Sequence, residues 1–157
     1  MKIKLIFTGA TQEDFVSKGI EKYSSRLKHY ADIEIIETPE RKYAKSISET
    51  QIKNIEAELI LKKIAKSDYL VLLDENGTQL SSKEFSNQVQ KFQLSGFKTI
   101  IFLIGGAYGF SDDLYQRANM KIALSKMTFT HQFARLILIE QLYRAFTILK
   151  NEPYHHE

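Results

Sequence analysis

The chain has 157 residues, 43% of them apolar and 26% charged, with a formal net charge of +3. That is the make-up of a soluble globule with enough chain to bury a core, so residues 1–157 are expected to form a single domain. With no cysteine, a disulfide framework and a thiolate metal site are excluded; the four histidines (His29, His131, His155, His156) show no zinc spacing with carboxylates, so no metal is expected. The run from Met1 is too short to span a membrane and lacks signal-peptide layout. No membrane association is therefore expected, and the expected address is the cytoplasm. The charge is compatible with nucleic acid without arguing for it.

Residues 3–8 read as a first strand that ends at Gly9. Thr11, with Glu13 and Asp14 behind it, predicts a threonine-capped helix running to about His29, with Phe15, Ile20, Tyr23 and Leu27 inward. Its outer side carries Lys18, Lys22, Arg26 and His29 in one stripe. Such a stripe serves either to track RNA phosphates or simply as a solvated face. Residues 32–38 form a second strand closed by Pro39, and residues 40–47 a mobile basic loop holding Arg41, Lys42 and Lys45. Ser48 and Gln51 match a capping box for a helix to about Lys66, amphipathic through Ile52, Ile55, Leu59 and Ile64. Residues 69–73 are a buried strand, and residues 74–77, ending Asn-Gly, a turn. Residues 81–84 cap a third helix that ends near Gly96.

The apolar run 99–104 is a fourth strand that stops at Gly105, Gly106 and Gly109. Ser111 starts a short helix, and residues 122–124 make a fifth strand. Strands alternating with helices predict an α/β fold with a largely parallel sheet of five to six strands. Ligands in such sheets lie outside the carboxyl ends of the strands, which makes residues 105–109 and 124–130 two walls of one pocket. The glycine spacing is neither the dinucleotide fingerprint nor a Walker A loop, so it signals only close backbone approach or a tight turn.

The last helix, residues 132–150, is apolar on nearly every side. A helix of that kind must be buried all round. Either a second protomer covers it, which predicts a homodimer, or it is central within one chain. Glu140 and Arg144 are spaced for an intrahelical ion pair. His131 and Arg135 stand where the helix leaves the pocket, a position that would suit a phosphate.

Four ordered motifs are more informative together than singly: Leu103-Ile104-Gly105-Gly106 with Gly109, residues 124–131, residues 138–145, and the terminal Pro153-Tyr154-His155. Over the whole chain the sequence resembles the RlmH family of small bacterial SPOUT (α/β-knot) RNA methyltransferases. The resemblance implies a SPOUT-type parallel sheet with a C-terminal trefoil knot and S-adenosyl-L-methionine as cofactor. It implies that Leu73, Gly105, Leu124, Ser125, Lys126, Met127, Thr128 and Phe129 line the cofactor pocket. The implied reaction is methyl transfer to N3 of a pseudouridine in 23S ribosomal RNA within the assembled ribosome. The partner protomer of a homodimer would contribute its tail to the site.

A pseudouridine N3 is an imide nitrogen that must lose its proton, and His155, His131 and Arg135 are the candidate groups, with Tyr154 beside the base. The arginine would orient or stabilise an anion rather than accept the proton. Thr130 stands where the family commonly has a proline, which implies a less rigid loop. Two other readings of the chain are a non-catalytic RNA-binding dimer of the same fold and a Rossmann-like nucleotide-binding enzyme.

Overall fold

The computed structural model describes residues 1–39 and 41–155. Glu40, at the head of the expected basic loop, and His156 and Glu157, at the end of the tail, lie outside the described residues. Among the described residues, five strands form one sheet: β1 (Lys2–Phe7), β2 (Asp32–Glu37), β3 (Tyr69–Gln79), β4 (Thr99–Ile104) and β5 (Met120–Ala123). They run parallel in the order β2-β1-β4-β3-β5. The helices that connect and follow them are α1 (Asp14–Leu27), α2 (Glu49–Leu61), α3 (Ser82–Leu94), α4 (Asp112–Arg117) and α5 (His131–Leu149).

The alternation of side chains along the central strand sorts the helices into two layers. Ile100, Phe102 and Ile104 face one core with residues of α1, α3 and α5; Ile101 and Leu103 face the other with residues of α2 and α4. Both faces of the sheet are thus covered, which is why β4 reads as an unbroken apolar run rather than an alternating one. Fully burying one such side chain stabilises the fold by roughly 1.5–3 kcal/mol.

Helix starts follow local chemistry where a short polar side chain is free to cap. Ser48 with Gln51 and Ser81 with Glu84 both form reciprocal capping boxes, as their spacing predicts. Thr11 behaves differently. The first helix begins at Asp14 after Glu13, which makes no side-chain cap, because the Thr11 hydroxyl is engaged by Glu37 and Arg135 instead. Phe15, expected inward, is 57% exposed and Val16 takes the buried place. α1 ends at Leu27, two residues short of His29, and its stripe of Lys18, Lys22, Arg26 and His29 is exposed.

The expected Asn-Gly turn after residue 73 is a second correction. β3 continues to Gln79, and Ile122 of β5 pairs with both Leu73 and Thr78, so the residues between them bulge out of the ladder. Gly77 is required there for close approach, since a Cβ on it would stand 2.6 Å from the Ile122 backbone.

α5 lies between α1 and α3 on one face of the sheet. Of its side chains only Phe133 is exposed, so much of the burial its composition demands is supplied within one chain. No helix of the described residues is long and apolar enough to cross a membrane.

Candidate active site

Three loops leave the carboxyl ends of β3, β4 and β5 side by side, and a cleft of about 740 Å³ opens between them and the start of α5. The bulge after Leu73 contributes Asp74, Glu75 and Asn76; the glycine loop contributes residues 105–109; the β5–α5 connection contributes Leu124, Ser125, Met127, Thr128, Phe129 and Thr130. His131 and Ala134, from the first turn of α5, complete the wall. Of the eight residues expected to line a cofactor pocket, seven do so. Lys126 belongs to the same loop but is not among the lining residues.

Each loop is shaped by a specific local cause. A Cβ on Gly105 would lie 3.0 Å from the Phe110 ring and 3.3 Å from the Gly109 carbonyl, so a side chain there would intrude on the loop that closes the cleft. The Ser125 hydroxyl accepts from the Met127 amide and tightens the β5–α5 connection. Thr130 is the N-cap of α5, its hydroxyl accepting from the Phe133 amide at 3.2 Å. That side-chain bond fastens the loop to the helix at a place where a proline would have none to offer. Met127 is left 75% exposed at the rim, and Phe129 and Phe133 meet edge to face beside it.

The electrostatics of the cleft are one-sided. Glu49, Asp74 and Glu75 line it, and among the described lining residues there is no lysine or arginine. Asp74 accepts from the Tyr115 hydroxyl and from the Asn76 amide, which fixes the bulge. Burial, followed by this carboxylate, pushes the Tyr115 phenol up to about 12. A floor of Leu73, Ile104, Leu124 and Phe129 with carboxylates at the margin suits a flat apolar group carrying positive charge, and it repels phosphates.

Arg135 does not reach this cleft. It is 0% exposed, donating to the Thr8 carbonyl at 2.8 Å and the Thr11 hydroxyl at 2.9 Å, with Glu37 at 3.8 Å and the Phe7 ring beneath it. Its position is that of a strut between α5 and the ends of β1 and β2. Periodicity along α5 gave its side of the helix but not the loop waiting there to enclose it.

The tail residues lie at the opposite end of α5. Tyr154 bonds Glu140 at 3.0 Å and Tyr23 at 3.2 Å, with its ring on Tyr143 and under the Arg144 guanidinium. Burial, with those two hydrogen bonds behind it, holds the Tyr154 phenol above the usual range. The Glu140–Arg144 pair closes at 2.6 Å and keeps that guanidinium firmly protonated. Arg144 in turn meets His155 Nδ1 at 3.2 Å. A guanidinium only donates, so Nδ1 accepts and the ring proton sits on Nε2. Arg144 is thirteen residues beyond His131 on one helix, a separation of about 20 Å at the α-helical rise. Within one chain, therefore, His131 joins the cleft while Tyr154 and His155 stand far from it.

A parallel α/β sheet whose bare, knuckled loops enclose an apolar, acid-rimmed cleft defines a small-ligand site of the transferase kind rather than a phosphate cradle. Comparison with known proteins narrows this. The family model described as "Predicted SPOUT methyltransferase" matches residues 1–155, and the chain belongs to that family. It is 54% identical to the Ribosomal RNA large subunit methyltransferase H of Christiangramia forsetii over 99% of each chain. It is 55% identical to the protein of the same name from Flavobacterium psychrophilum over the full length of both. The counterpart in Enterococcus faecalis is 44% identical over 99% of each chain.

Proposed function

We propose that this protein is a methyltransferase of large-subunit ribosomal RNA that uses S-adenosyl-L-methionine and acts on N3 of a pseudouridine in 23S RNA within the assembled ribosome. The reading is supported above all by the charge of the cleft. A sulfonium donor is a cation, and three carboxylates with no lining lysine or arginine suit it, whereas NAD or a nucleoside triphosphate would bring phosphates against them. The same observation disfavours a Rossmann-like nucleotide enzyme. When bound, the donor supplies an already activated methyl group. What the chain must do is hold it, exclude water and align the acceptor.

Leu73, Leu124 and Phe129 would hold the adenine in a dry slot, with Gly105 leaving its backbone bare against the ligand. Asp74 and Glu75 would face the ribose or the sulfonium. The expected knot would thread the C-terminal segment through the loops that form this slot, and His131 would stand at the acceptor side.

Tyr154 and His155 would serve a homodimer by completing the cleft of the partner protomer. The 20 Å that separates them from their own cleft supports action in trans. In that role His155 is the favoured proton acceptor for the imide, and it would exchange its contact with Arg144 for the substrate. The cytoplasm, where ribosomes are assembled, is the address that goes with this reading.

Mass spectrometry of ribosomal RNA from a strain lacking the gene tests the proposal. One pseudouridine of 23S RNA should lose 14 Da, with restoration by the wild-type chain; an unchanged methylation pattern would refute it, and would favour a non-catalytic RNA-binding dimer.

A further inference from the structure

Behind the glycine loop lies a second cavity of about 240 Å³ that the reading above leaves unused. It is built from the ends of β1 and β2, from one face of α2 and from the start of α5. It shares Gly106, Ala107, Tyr108 and His131 with the larger cleft, so a single thin wall divides the two. That wall is almost without side chain at Gly106: a Cβ there would stand 2.9 Å from a Glu56 carboxylate oxygen and 3.3 Å from the Thr8 methyl.

Two polar groups face each other across this bare backbone. The Thr8 hydroxyl is buried, its residue only 6% exposed, and the oxygen has no hydrogen-bond partner. Its main chain is fully used, the amide donating to Ile104 and the carbonyl accepting from Arg135, so only the hydroxyl is left over. A buried hydroxyl without a partner costs about 1–3 kcal/mol, and a ligand that accepts from it recovers that. Glu56 offers an anionic acceptor on the opposite side. The neighbouring loop is held still: the Gly9 amide donates to the Thr38 hydroxyl at 2.8 Å, and Gln132 clamps the Gln12 amide and the Ala10 carbonyl.

Resting on the methyltransferase reading, we infer that this second cavity receives the acceptor base, a planar imide of the uracil type. An imide edge presents an N–H between two carbonyl oxygens. A carboxylate takes the N–H, and the Thr8 hydroxyl donates to a carbonyl. Purines present a different sequence of donors and acceptors, so the pair selects for the imide. A thin wall lacking side chains at Gly106 lets donor and acceptor sites come close, as a direct transfer requires. Thr8 and Glu56 are then specificity-determining residues for the acceptor, separate from the residues that hold the donor.

The test is amide NMR on the full-length protein saturated with S-adenosylhomocysteine, titrated with pseudouridine nucleoside and, separately, with adenosine. Pseudouridine should shift the Gly9, Thr38 and Gly106 amides saturably, and adenosine should not. Thr8→Val, which keeps shape and loses the hydroxyl, should weaken pseudouridine about fivefold, and Glu56→Gln about tenfold, at unchanged affinity for S-adenosylhomocysteine. Pseudouridine shifts absent, confined to the larger cleft, or indifferent to both substitutions would overturn this inference alone. Absence of S-adenosylhomocysteine shifts at Gly105, Leu124 and Ser125 would overturn the methyltransferase reading together with it.

Discussion

The two ends of α5 are built on opposite terms. At its carboxyl end Tyr23, Tyr30, Tyr143, Phe146 and Tyr154 stack on one another, the Glu140–Arg144 pair is closed, and the tail is drawn into the network. At its amino end the loops carry exposed Met127, Phe133 and Tyr108, an acidic rim and bare glycines around a cleft. Satisfied groups make one end a fastening. Groups left without packing make the other a place for a ligand, and the stability given up there is offset by burial elsewhere in the sheet.

The sharpest way to break this contrast is at the open end. Gly105→Val should abolish S-adenosyl-L-methionine binding, a loss of at least about a hundredfold by calorimetry, because the added methyls project toward Phe110 and the slot. Circular dichroism should be unchanged, and a variant that binds normally would remove Gly105 from the site. At the fastened end, truncation from Tyr154 onward should stop methylation of ribosomes while donor affinity stays within about twofold, since the donor slot contains no tail residue. Normal turnover would leave the tail without a catalytic part.

A third substitution separates support from chemistry. Arg135→Ala should lower the free energy of unfolding by about 3 kcal/mol in urea titrations, since it removes a buried guanidinium and leaves the Thr8 carbonyl without its donor. A full loss of activity at undiminished stability would instead give Arg135 a direct catalytic part.

The smallest effect is a pH dependence. The hydrogen bond to Glu152 pushes the Tyr30 phenol up to about 12, and burial with Asp74 does the same for Tyr115. Unfolded phenols titrate near about 10. The folded chain therefore keeps these protons longer than the unfolded one, and stability complete below about pH 10 should drain as pH rises toward 12. Urea midpoints between pH 8 and 11 should fall less steeply in Tyr115→Phe than in the wild type.

Much of this was legible in the sequence, for identifiable reasons. β4 announces itself because both its faces are buried, and Ser48 and Ser81 announce their helices because capping boxes are local in sequence. The cleft was legible as far as its glycines and leucines. Asp74 and Glu75 were read as part of a turn, since Asn-Gly has the same appearance whether glycine supplies a positive φ or, as Gly77 does, makes room for a neighbouring strand. Arg135 was legible as a residue on one side of α5 and not as a buried strut, because Thr8, Thr11 and Glu37 come from more than ninety positions away. Thr8 and Glu56 gave no signal at all: their juxtaposition is purely tertiary.

The central claim, a donor cleft completed by the tail of a second protomer, is tested most directly by complementation. Gly105→Val chains and chains truncated at Tyr154 are each expected to be inactive on ribosomes. Unfolded together and refolded as a mixture, they should regain roughly a quarter of wild-type activity, since half the dimers pair one intact cleft with one intact tail. A mixture as inactive as its components would contradict the account.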